Sequence, residues 1–110
     1  MEKSDFVVNC LPLYTLETKN FIDAEAFSKS KKDQVIINIG RGKVIDYKAI
    51  FEALNSEKIA GLALDVTDDR YDSKLRVLRK VHFSPHCGAI YNDPAGFFDR
   101  ELSAASCVII

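Results

Sequence analysis

The sequence predicts an α/β fold: a partial doubly wound parallel sheet of about four strands with flanking helices. Three observations carry that prediction. First, apolar and β-branched runs recur at Val35-Ile36-Ile37, Gly61-Leu62-Ala63-Leu64 and Val81-His82-Phe83. They are too continuous for half-exposed strands and read as strands of a parallel sheet. Second, the runs alternate with helical patterning, the order that right-handed β-α-β crossovers produce. Third, each run leads into one chemistry-bearing side chain, in turn Arg41, Asp65 and His86. Open α/β sheets bind ligands beyond the carboxyl ends of their strands. A guanidinium, a carboxylate and an imidazole delivered there together predict a site for an anionic small molecule.

The elements follow in order. Phe6-Val7-Val8-Asn9-Cys10-Leu11 is a buried strand stopped by Pro12. Asp23 caps a helix carrying Ala24, Ala26 and Phe27, which fades into the solvated run Lys29 to Lys32. The second strand closes at Gly40-Arg41-Gly42. Asp46 then caps a helix whose Ile50, Phe51 and Leu54 form one apolar stripe. Strand three spans Gly61 to Val66, and a short charged segment from Ser73 to Arg79 precedes strand four. Asp93-Pro94 offers an N-cap with proline at the first helical position. Phe98, Leu102, Ala105 and Ile109 follow at helical spacing and predict a last helix running to the carboxyl end. Phe6 to Leu11 is thereby left as a hydrophobic edge, which invites association.

Composition narrows the function. At 110 residues the chain makes one small domain. Fifteen basic residues against 16 acidic ones leave no field for a nucleic-acid partner. Cys10, Cys87 and Cys107 are odd in number and lack metal-ligand spacing, so no metal is expected and free thiols in a reducing compartment are. No apolar run can span a bilayer and the amino terminus has no secretory core, which predicts a cytoplasmic protein without a membrane partner. Cys107-Val108-Ile109-Ile110 has the C-a-a-X form of a lipidation signal. No polybasic stretch precedes it, and the same residues continue the stripe of the last helix, so a buried helix end is expected instead. The phosphate-cradling turn G-x-G-x-x-G is absent; all five glycines lie at or after position 40 and none forms it.

Four stretches resemble successive signatures of the D-isomer-specific 2-hydroxyacid dehydrogenases. They are Leu11-Pro12-Leu13 with Glu17-Thr18-Lys19-Asn20, Asn38-Ile39-Gly40-Arg41-Gly42-Lys43-Val44-Ile45-Asp46, Leu64-Asp65-Val66, and Pro85-His86-Cys87-Gly88-Ala89. The resemblance covers positions 4 to 90 in the right order. It implies a Rossmann-like half: one segment, 1–110, equivalent to the carboxyl-terminal half of a dinucleotide-binding domain, without the glycine-rich loop or the substrate domain. It implies hydride transfer between NAD or NADP and a small 2-hydroxy or 2-keto acid, in a protein that pairs as a homodimer. A fragment of that kind is not expected to turn over alone.

The implied roles have chemical reasons. Arg41 matches the arginine that grips the substrate carboxylate, for which a planar guanidinium makes two parallel charge-assisted bonds. His86 matches the acid-base histidine, an imidazole able to cycle a proton near neutrality. Cofactor contacts are implied at Cys10, Pro12, Asn38, Gly40, Asp65 and Gly88. For Asp65 a strand-end carboxylate capping backbone amides is a competing structural reading. His82 has no counterpart and reads as structural. At the position where the family carries the glutamate that pairs with the histidine, this sequence has Arg70. A cation there disfavours an imidazolium, so a non-catalytic nucleotide-binding or protein-interaction module is the alternative reading.

Overall fold

The computed structural model describes residues 1–13, 16–67, 69–86 and 107–109, with the backbone alone at 69–72 and 107–109. Five parallel strands form one sheet: β1 (Phe6–Asn9), β2 (Val35–Asn38), β3 (Gly61–Leu64), β4 (Val81–Phe83) and β5 (Cys107–Ile109). Their spatial order is β4-β3-β2-β1-β5. Three helices cross between the first four: α1 (Ala24–Ser28), α2 (Tyr47–Asn55) and α3 (Asp69–Arg76).

The helices start where the sequence predicts. Asp23 accepts a hydrogen bond from the Ala26 amide at 2.9 Å, and Asp46 accepts from Lys48 and Ala49 at 3.0 and 3.4 Å. Each carboxylate satisfies amide donors that the first helical turn leaves unpaired and favours the positive end of the helix dipole. The charged stretch before β4 is also helical, beginning at Asp69 rather than Ser73.

Burial alternates along β1, β2 and β3, so each strand has one fully buried and one half-buried face. This departs from strands buried on both sides, and topology gives the reason. Successive strands β1 to β4 step in one direction across the sheet. Crossovers of one hand then lie on one face. Phe27 of α1, Ile50 and Leu54 of α2 and Leu75 of α3 join Val7, Ile36, Leu62 and Leu64 in a single buried cluster. Full burial of each such side chain contributes about 1.5–3 kcal/mol. The arrangement is one half of a doubly wound sheet.

Two expectations at the chain's far end are corrected. Residues 107–109 are a strand, not the end of a helix; the segment expected to start at Asp93 otherwise lies outside the described residues. Accordingly Phe6 to Asn9 is not an edge: β5 pairs with it in parallel, Phe6 opposite Cys107 and Val8 opposite Ile109. Val108 and Ile109 are β-branched, and pairing satisfies backbone groups that an open edge leaves to solvent. At Ile109, the one described residue of that helical pattern, pairing with an open hydrogen-bonding edge prevails. No helix among the described residues is long and apolar enough to cross a membrane.

Candidate functional site

Polar side chains begin where the strands stop. β1 and β2 end opposite each other at Asn9 and Asn38. Both side chains are fully buried, and Asn9 Nδ2 donates to Asn38 Oδ1 at 2.8 Å. Each asparagine then turns its own chain: Asn9 Oδ1 accepts from the Leu11 amide at 3.0 Å, and Asn38 Oδ1 from the Gly40 amide at 3.1 Å. These are side-chain mimics of a backbone turn. They explain why β1 ends at Asn9, two residues before the expected Leu11.

Backbone bonds carry the line across the sheet. The Ile39 amide donates to Asn9, the Asp65 amide to Asn38 and the Ser84 amide to Leu64, at 3.0, 3.0 and 2.9 Å. The strand ends are thereby locked level with one another, and the residues just beyond them emerge together.

Arg41 follows the Gly40 turn in extended conformation, with an exposed side chain. Asn38 Nδ2 holds its carbonyl at 3.2 Å, and Arg41 Nη1 donates to the Gly40 carbonyl at 2.9 Å. Gly40 is required by close approach: a Cβ there would stand 2.6 Å from the Leu11 carbonyl oxygen. Asp65 is 8% exposed and accepts a hydrogen bond from Ser84 Oγ, which ties the end of β3 to the end of β4. His86 is exposed and has a φ of 56°, a left-handed conformation rare for a side chain with a Cβ. Such strain persists where surrounding structure imposes it and concentrates at functional sites.

Arg41, Asp65 and His86 line one cavity of about 390 Å³, with Val66, Thr67 and Pro85 among its walls. The three residues singled out from the ends of separate runs are thus brought together. Asn38 and Gly40 do not line the cavity; they shape the turn that delivers Arg41. Cys10 and Pro12 lie in the adjoining loop, both exposed, with the Cys10 backbone against Gly40 and the Pro12 carbonyl accepting from Thr18 Oγ1 at 3.0 Å. Gly88 lies outside the described residues. Arg70 sits in the first turn of α3, and its side chain lies outside them as well.

Three contributors were not picked out in the sequence. Asn9 ends an apolar run just as Asn38 does, a signal that becomes meaningful only with the register. Ser84 directly precedes Pro85-His86. Arg76, in the charged stretch, stacks over the Phe83 ring with its guanidinium carbon 4.4 Å from the centroid, and both line the cavity.

Residues 1–88 match the family model of the D-isomer specific 2-hydroxyacid dehydrogenase, NAD binding domain. A glyoxylate reductase of Thermococcus kodakarensis is 42% identical over 91 residues, 81% of this chain and 27% of the relative. Glyoxylate/hydroxypyruvate reductase B of Cronobacter sakazakii is 42% identical over 112 aligned positions, 94% of this chain and 34% of the relative. This chain therefore spans about a third or less of the length of these curated relatives. Among solved structures, a D-isomer specific 2-hydroxyacid dehydrogenase from Xanthobacter autotrophicus, in complex with NADPH and MES, superposes with a TM-score of 0.68 at 35% identity over 74% of this chain and 27% of that one. Phosphoglycerate dehydrogenase from Lactobacillus plantarum gives a TM-score of 0.75 at 28% identity over 98% of this chain and 38% of that one.

Proposed function

Because the chain belongs to the D-isomer specific 2-hydroxyacid dehydrogenase family, we propose that it is the carboxyl-terminal half of the coenzyme domain of an NAD(P)-dependent reductase of small 2-oxo acids. The observation that carries this reading is the convergence of Arg41, Asp65 and His86, from three strand ends, on one cavity. The donor set fits the nicotinamide end of the cofactor: a shielded carboxylate acceptor at Asp65 beside apolar Val66 and Pro85. Asp65 would hold that end, with the Cys10–Pro12 and Asn38–Gly40 loops beside it, and the family resemblance adds Gly88 to the cofactor contacts. When bound, NAD(P)H supplies the hydride that reduces the substrate carbon.

The remaining work falls to the chain's own side chains. Arg41 binds the substrate carboxylate through its planar fork and fixes the keto group against the cavity wall. His86 donates a proton to the keto oxygen as the carbon gains its hydride, leaving a hydroxyl and a neutral imidazole. Ser84 holds Asp65, and Asn38 holds the turn carrying Arg41, so the two charges keep their positions. The odd, scattered cysteines support a reducing, cytoplasmic setting, and the family resemblance supports a homodimer.

A titration of this 110-residue chain with NADH, followed by amide-resolved NMR, tests the reading. Shifts are expected at Asp65, Ser84 and His86, with Arg41 moving on further addition of a 2-oxo acid. Unmoved peaks at these four positions with millimolar NADH and acid would overturn it.

A further inference from the structure

Arg41 is held by a line of hydrogen bonds that starts on another strand. Its Nη1 donates to the Gly40 carbonyl at 2.9 Å, so the guanidinium takes its bearing from the Gly40 turn. Asn38 sets that turn: its Oδ1 accepts from the Gly40 amide at 3.1 Å, and its Nδ2 donates to the Arg41 carbonyl at 3.2 Å. A carboxamide serves both bonds in only one of its two orientations. Asn9 enforces that orientation. Its Oδ1 is taken by the Leu11 amide at 3.0 Å, so its Nδ2 faces Asn38 and meets Oδ1 at 2.8 Å. Both asparagines are fully buried. Burying two carboxamides brings the fold little net stability, since an apolar pair of the same shape can be nearly neutral. What a hydrogen-bonded polar pair adds is a single defined geometry.

We propose that Asn9 is a positioning residue for substrate binding: through Asn38 it fixes the Gly40 turn, and with it the guanidinium of Arg41. This rests on the reading of Arg41 given above. Asn9 does not line the cavity and acts only through its neighbour. The same side chain turns β1 into the Cys10–Pro12 loop, so one residue sets both loops at this end of the sheet.

Two variants of Asn9 test this in the 110-residue chain. The NMR titrations use NADH and, separately, oxamate, the amide isostere of pyruvate, which accepts no hydride. Asn9→Ser leaves an oxygen for the Leu11 amide but nothing that reaches Asn38. Asn38 Oδ1 still accepts from Gly40, so that buried atom is not orphaned. Oxamate is expected to bind about tenfold more weakly, the increment of one charge-assisted bond, while the NADH dissociation constant stays within about twofold. Asn9→Asp separates aim from packing, because the side chain keeps its shape. Ionised, it turns an acceptor toward Asn38 Oδ1, and oxamate binding should fall at least as far as in Asn9→Ser. Protonated, its O–H restores the bond, and affinity should return to within about threefold of the parent chain at the same pH. The shift of the new carboxyl carbon reports which form is present. Three results would overturn the role of Asn9 and leave the reading of the cavity intact: unchanged oxamate affinity in Asn9→Ser, NADH and oxamate affinities that fall together, or an Asn9→Asp affinity indifferent to ionisation. Loss of the folded spectrum in both variants would also overturn it, by showing that the pair is required for the fold itself. Failure of the parent chain to bind NADH and oxamate would overturn both readings.

Discussion

Gly40 shows how tightly the site depends on single atoms. A methyl group there would meet the Leu11 carbonyl oxygen at 2.6 Å, the Leu11 nitrogen at 2.9 Å and the Cys10 carbonyl carbon at 3.0 Å, all of them backbone. No side chain can rotate away, so the two strand-end loops must separate. Gly40→Ala is therefore expected to lower folding stability by about 1–3 kcal/mol, the usual range for overpacking, readable as a drop in urea midpoint at unchanged slope. Unchanged stability would mean that the loops are not held together. Residue identity at the site was legible in the sequence to an uneven degree. Arg41, Asp65 and His86 stand out because each lies at or within a few residues of the end of an apolar run, and the sheet brings run ends together. Arg76 does not, because nothing local separates it from its charged neighbours in the stretch from Ser73 to Arg79. Its place at the cavity exists only once α3 packs against Phe83. Asn9 was hidden for a related reason: its partner Asn38 lies 29 residues away.

Elements were legible where a local bond defines them and illegible where a distant one does. The caps at Asp23 and Asp46 use amides two or three residues on, and both helices begin as the sequence indicates. Strand ends depend on the asparagine turns and on a neighbouring strand, and those of β1, β2 and β3 were read at least two residues too long. The short helix α1 adds a local charge pair of its own. Glu25 and Lys29, four residues apart, form a hydrogen-bonded ion pair at 2.6 Å with the acid nearer the amino end, the favourable order. The Glu25 hydrogen bond, then its charge, raises the Lys29 ammonium above its ordinary 10.5, with slight opposition from burial. A raised basic group stabilises the fold fully below the unfolded value, and that contribution disappears as pH rises through the folded value. The Lys29 contribution is thus fully present at neutral pH and disappears as pH rises into strong alkali. In an NMR titration of the Lys29 side chain, Glu25→Gln is expected to move the midpoint downward, and added salt to narrow the difference. A midpoint indifferent to Glu25 would show that the pair does not persist in solution.

At the scale of the molecule, the sheet is defined by what covers its strands. β2 and β3 are interior strands, while β1 relies for one flank on β5, a strand of three residues contributed from far along the chain. Closing the ring of chain between β1 and β5 costs loop entropy that short-range contacts do not repay. The pairing is worth this because β1 is largely apolar, the kind of edge that recruits other chains. Its register repeats on both sides: Phe6, Val7 and Val8 face Val35, Ile36 and Ile37 on one flank and Cys107, Val108 and Ile109 on the other. The same flank that carries β5 here is one at which a parallel sheet can continue. Removing residues 107–110 is therefore expected to leave the α1–α2–α3 side of the core in place and to expose β1 as an edge. The shortened chain should keep the Asn9–Asn38 pairing, seen as unchanged side-chain amide shifts. It should also self-associate in sedimentation experiments at concentrations where the parent chain does not, and lose protection of the β1 amides from hydrogen exchange. A shortened chain that stays monomeric with fully protected β1 amides would show that β5 is dispensable and that the first strand is sheltered by another part of the molecule.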